Sequence, residues 1–156
     1  MDRKTELGKF IHKANYQILG KDYSISFAFI DDERMKELNK QYRKINKTTD
    51  ILSFSLSETE GEIVISKKET ARKAKDFFMK YNEYLRYLII HGLLHLKGMD
   101  HGSKMEGKEK EFCKKLKVRV PDFLLLNDQT NNSRNRYRNA RSAGNSRNSG
   151  TRKRVS

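Results

Sequence analysis

Leu7, Phe10, Ile11, Ala14 and Ile18 recur at the three-to-four spacing of one helix face, which predicts an amphipathic first helix. His12 falls off that stripe and is expected in solvent. The period then changes to two: Ile25, Phe27 and Phe29 alternate as in a half-buried strand. Asp31 and Asp32 next offer an N-cap to a helix bearing Met35, Leu38 and Tyr42. Leu52, Phe54 and Leu56 alternate again, and after the turn-like SETEG comes the β-branched run EIVIS, so two neighbouring strands, a hairpin, are expected there.

Ser66 followed by Glu69 reads as a capping box opening a helix with Ala71, Ala74 and Phe78 on one side. From Glu83 to Lys97 the chain is apolar nearly all round, so this helix should be central and buried, with Gly98 ending it. Ser103 and Glu106 form a second capping box, ahead of a helix presenting Met105, Phe112 and Leu116, with Cys113 at the border of that face. Strands and helices mix without a regular βαβ repeat. The expected fold is therefore α+β, a small mixed β-sheet with helices packed on it and the histidine-bearing helix at its centre.

Composition adds a boundary and a partner. The chain of 156 residues carries a net charge of +14, yet eight of its Lys and Arg residues and none of its acids fall between Asn131 and Ser156, so the preceding part holds only +6. That terminal stretch has almost no large apolar residues. A folded domain over 1–127 and a disordered basic tail over 128–156 are expected. The tail reads equally as a nonspecific RNA contact or as a solubilising extension. A chain this basic calls for an anionic partner. No run approaches a membrane span, the start lacks a signal peptide's apolar segment, and the single Cys113 excludes an internal disulfide, all of which predicts a cytoplasmic protein without membrane association.

The candidate chemistry is concentrated in HGLLHLKGMDH, residues 91–101, which holds three of the four histidines. His91 and His95 share one helix face, close enough for both imidazoles to bind one ion. Gly98 permits a sharp exit that lets His101 supply a third nitrogen. Three neutral nitrogens leave a coordination position for water, as in a catalytic zinc site; one zinc ion is the expected occupant, with nickel, copper and iron as other ions that suit imidazole. Zinc peptidases share this spacing but carry a glutamate as general base where this chain has Gly92, and a glycine takes no proton, which disfavours peptidase chemistry.

A second block, LNKQYRKINKTTDILSFS, lies upstream. Together the two motifs resemble the YbeY family of bacterial endoribonucleases and ribosomal-RNA maturation factors. The family's H-G-x-x-H-L-x-G-Y-D-H is matched except at its tyrosine, here Met99, and the upstream pattern is matched by Leu38, Asn39, Tyr42, Arg43, Thr49, Asp50, Leu52, Ser53 and Phe54. Ser55 stands where the family usually has proline, Glu62 where it often has aspartate, and Ile45-Asn46 where Lys-Asp is common.

The resemblance implies a zinc-dependent, single-strand-specific endoribonuclease acting in maturation of small-subunit (16S) ribosomal RNA, late ribosome assembly and ribosome quality control, with single-stranded RNA and the small ribosomal subunit as partners. It also implies that His91, His95 and His101 are the ligands and Arg43 a functionally required arginine. A planar guanidinium there would stabilise charge on a scissile phosphate. Asp100 is either an acceptor orienting His101 or the metal's water, or a surface turn, and Asp50 either positions water or caps a turn. Two rivals stand beside this expectation: a noncatalytic zinc-containing ribosome-assembly factor whose fourth ligand is Cys113, and a metal hydrolase acting on a small substrate or peptide.

Overall fold

The computed structural model describes residues 3–126 and 154–155. The first helix, α1 (Glu6–Leu19), starts where the Thr5 hydroxyl accepts the Gly8 N–H at 3.0 Å, and it buries Phe10, Ile11, Ala14 and Ile18 as expected while His12 stays exposed. Strand β1 (Ser24–Ile30) follows, then α2 (Asp32–Arg43), capped by Asp31, whose carboxylate accepts the Arg34 N–H at 2.8 Å. Strands β2 (Ile51–Ser55) and β3 (Glu60–Ser66) form the expected antiparallel hairpin, with Ile51 opposite Ile65 and Ser55 opposite Gly61. β1 adds to the other side of β3 in parallel, so the sheet is mixed.

Alternation along the central strands divides the interior between two sides. Ile51, Ile63 and Ile65 belong to the main core with α1, α4 (Tyr81–Leu96) and α5 (Ser103–Lys115), while Leu52, Phe54 and Val64 form a smaller cluster with Met35 of α2. A strand's period of two places its neighbours on opposite faces. The α+β expectation, a small mixed sheet with packed helices, is met.

α4 is the hub, packing against α1, α5, β2 and α3 (Lys67–Asp76). Its Leu88, Ile89, Ile90, Leu93 and Leu94 are all buried, as a helix apolar on every side requires. It ends where Gly98, at φ 99°, lets the Gly98 N–H reach the His95 carbonyl at 2.9 Å and the Met99 N–H reach the Leu94 carbonyl at 3.1 Å. That pair of bonds is a Schellman turn, and the αL position at its centre favours glycine. Lys97 ties the same end to α1, its Nζ donating to the Ile18 carbonyl at 2.9 Å.

Three local expectations need correction. The Ser66 hydroxyl does accept the Glu69 N–H at 3.2 Å, but Glu69 pairs with Arg72, and Ser66 donates to Asp32 at 2.6 Å; only half of that capping box forms. At the second box, Gly102 occupies the N-cap and Ser103 is already helical. On α3 the inward residues are Thr70, Lys73 and Ala74, with Phe77 following; Ala71 and Phe78 are exposed. The helix stops at Asp76 and the chain reverses through Phe78 at φ 54°, which sends Phe77 into the core against Tyr84 and Phe123 and throws Phe78 outward.

A short helix, α6 (Asp122–Leu125), follows α5. The expected boundary near Asn127 and the tail over 128–156 lie outside the described residues, apart from Arg154–Val155, which pair antiparallel with β2 as β4 and give the sheet order β1-β3-β2-β4. Among the described residues no helix is long and apolar enough to cross a membrane.

Phe78 holds the αL position of a second Schellman turn, where the Phe78 N–H meets the Lys75 carbonyl and the Met79 N–H the Ala74 carbonyl. A residue with a Cβ is strained there, so Phe78→Gly is expected to stabilise the fold by about 1 kcal/mol. Urea denaturation of the two proteins measures the difference.

Candidate metal centre

One turn of α4 separates His91 from His95, and the Schellman turn at Gly98 brings the chain back so that His101 closes the group. The His95 Nε2 stands 3.0 Å from the His91 Nε2 and 3.2 Å from the His101 Nε2. His91 and His95 are buried and His101 is exposed, so the cluster opens to solvent on one side.

The other ring nitrogens are tied back. His91 Nδ1 donates to the Glu109 carboxylate, which also accepts the Tyr87 hydroxyl at 3.1 Å, and His95 Nδ1 donates to the Met99 carbonyl at 2.9 Å. A carboxylate and a carbonyl only accept, so each Nδ1 carries a hydrogen and the two Nε2 atoms are left to face the centre of the group. Burial, reinforced by His91 and His101, holds His95 far below the usual histidine range and therefore neutral.

Three Nε2 atoms directed at one another suit a shared cation. Nitrogens about 2.1 Å from one tetrahedral ion lie about 3.4 Å apart, close to the spacings found. The three imidazoles could hold one metal ion, and Glu109 serves as the outer partner that orients such a ring.

Met99 contributes through its backbone, which explains how the position tolerates a residue other than tyrosine. Gly92 has a packing reason of its own: a Cβ there would stand 2.7 Å from Ile51 Cδ1, 3.0 Å from Ser53 Oγ and 3.1 Å from Ile63 Cδ1. The helix lies against the sheet at the position where a peptidase would carry its base, and no longer side chain fits.

Arg43, the last residue of α2, is buried; burial lowers its guanidinium to about 10, against the opposing pull of Asp50, and its charge helps keep His95 neutral. Asp50 is no surface cap. It is buried, accepting the Tyr84 hydroxyl at 2.7 Å and pairing with Lys73 at 3.3 Å. Asp100 is exposed beside His101. Cys113 is fully buried and outside the histidine group, its thiol pushed up to about 12 by burial and by Glu109, so it is not the fourth ligand of a closed site. Glu109 was absent from the sequence-based candidates, yet its signal was readable: it lies between Met105 and Phe112 on the inward stripe of α5, and a carboxylate there needs a buried partner.

The protein is thus of an α+β class that presents three clustered imidazoles, two with their outer nitrogens anchored, able to hold one metal ion. The family model described as Endoribonuclease YbeY matches residues 3–117. An endoribonuclease YbeY of Nautilia profundicola is 38% identical over 137 residues, covering 82% of this chain and 96% of its own. One from a Nitratiruptor species is 44% identical over 112 residues, covering 67% of this chain and 76% of its own. The solution structure of a Thermotoga maritima protein superposes with a TM-score of 0.53 at 25% identity, over 74% of this chain and 85% of that one. The chain belongs to the endoribonuclease YbeY family.

Two outcomes follow from this geometry. Gly92→Ala gains helix propensity yet forces Ile51, Ser53 and Ile63 aside, and a net destabilisation of about 1 kcal/mol is expected by urea titration. For pH, the unfolded chain binds a proton at His95 below about pH 6.5, whereas the folded chain resists it. The stability contributed by this neutral ring is thus present above pH 6.5 and declines as the pH falls. Denaturation of chelator-treated protein between pH 8 and pH 5 checks the sign.

Proposed function

We propose that this chain is a zinc-dependent endoribonuclease that cuts single-stranded RNA during maturation of small-subunit ribosomal RNA, working in the cytoplasm on or near the small ribosomal subunit. The observation that carries this reading is the meeting of three Nε2 atoms at a centre with one exposed side, beside a buried arginine. His91, His95 and His101 would hold the ion. When bound, zinc supplies Lewis-acid activation of water and of a phosphoryl group.

The chain's own residues do the rest. Glu109 and the Met99 carbonyl keep the two helical rings in the tautomer a metal needs. Arg43 meets the scissile phosphate through its planar fork and stabilises charge developing on the phosphoryl oxygens. Gly92 leaves no carboxylate base at the peptidase position, which supports phosphodiester rather than peptide chemistry. The net charge of +14 favours a polyanion over a small neutral substrate. The noncatalytic alternative loses its support with Cys113 sealed in the core away from the histidines.

The test pairs elemental analysis with cleavage of unpaired RNA. About one zinc per chain and cleavage that chelator abolishes are expected. Arg43→Lys should retain the metal, since it keeps the charge, but lose the fork and cleave about a hundredfold more slowly. A metal-free protein with full activity, or undiminished turnover by Arg43→Lys, refutes the corresponding part of the proposal.

A further inference from the structure

Far from the histidines, Phe78 is 85% exposed, the largest exposure among the large hydrophobic residues described. It stands in a left-handed backbone conformation that favours glycine, with φ 54°, so neither burial nor backbone preference accounts for it. Strain combined with exposure marks a position held for something other than stability.

The turn that carries it is firmly built. Phe77 and Met79 on either side are buried, the two Schellman hydrogen bonds close the turn, and Arg119 Nη1 donates to the Phe78 carbonyl at 3.1 Å. The ring thus projects from a fixed base.

Its surroundings are basic. Lys75 and Lys80 flank the turn, and the bond from Arg119 brings in the segment that also carries Lys117; all four side chains are exposed. Of the nearby acids, Glu83 and Asp122 pair with Arg119 at 3.3 and 3.7 Å, and Asp76 is exposed. An outward aromatic ring amid cations matches how proteins hold unpaired nucleic acid, with a base stacked on the ring and phosphates near the charges.

We propose that Phe78 and the cations Lys75, Lys80, Lys117 and Arg119 form a second contact for single-stranded RNA, separate from the metal centre. The proposal rests on the reading that this chain acts on RNA. Phe78 precedes the first turn of α4 and His95 lies in its last, which puts the two contacts about 20 Å apart along one helix. A strand bridging them must be unpaired over that length, so the platform favours extended single-stranded substrates.

The experiment uses the full-length protein, chelator to suppress cleavage, and a fluorescein-labelled single-stranded oligouridine of about 15 nucleotides. Phe78→Ala should weaken binding about tenfold, whereas Phe78→Trp, which keeps an aromatic face, should bind like the parent. Because the chain contains no tryptophan, the Phe78→Trp protein carries a single reporter whose emission should be quenched as RNA saturates it. With the metal restored, Phe78→Ala should raise KM for long single strands and leave kcat unchanged.

Undiminished binding by Phe78→Ala, or tryptophan emission that RNA does not alter, overturns the platform. Emission already shielded before RNA is added also overturns it, since the ring would then lie against this chain's own terminal residues or a protein partner. The two readings fail separately. A parent that cleaves RNA beside a Phe78→Ala variant that binds normally removes the platform alone. A parent that binds RNA through Phe78 but never cleaves removes the nuclease reading alone.

Discussion

Everything at the candidate metal centre depends on how closely α4 lies against the sheet. A helix apolar on all sides has no face to give to water, so it must be enclosed, and α1, α3, α5 and β2 all pack on it. The contact is close at Gly92, where the space a side chain would need is filled by Ile51, Ser53 and Ile63. Gly61 repeats the arrangement at the other end of the hairpin, where a Cβ would meet Leu96 at 2.9 Å and the Tyr23 hydroxyl at 2.6 Å. Two glycines thus let the helix settle onto the sheet, and the histidine positions follow from that seat.

The same enclosure determines the electrostatics. Burying α4 also buries His91 and His95, and burial holds the His95 ring neutral; the three facing Nε2 atoms could then share one cation. α5, drawn in by Met105, Phe112 and Leu116, carries Glu109 to the back of His91. Packing and ligand orientation are one event here, because the residue that anchors the ring sits on the stripe that fills the core.

Arg43 and Asp50 form part of a second buried network with Tyr84 of α4 and Lys73 of α3. A buried charge without a partner is strongly unfavourable, and Asp50 supplies the opposing charge that supports the buried Arg43. The arginine from the end of α2 therefore remains charged, and its field reaches His95. Substrate anion and metal cation would both meet this balance from the exposed side that His101 marks.

The residues alone determined the elements and the histidine cluster: the helical stripe of α1, the alternation of β1 to β3, the all-round apolarity of α4 and the HGLLHLKGMDH spacing each express a local period or turn preference that needs no distant partner. Local rules failed where a neighbour in space decided. Phe77 rather than Phe78 fills the core because the chain reverses at that point to meet Tyr84 and Phe123, and Ser66 bonds Asp32, a residue from another element. The partnership of Glu109 with His91, the burial of Asp50 and the approach of Arg43 to the histidines were decided only by tertiary structure, because they join segments far apart in the chain. Spacing along a sequence encodes what one helix turn can reach; it does not encode which helix will lie across it.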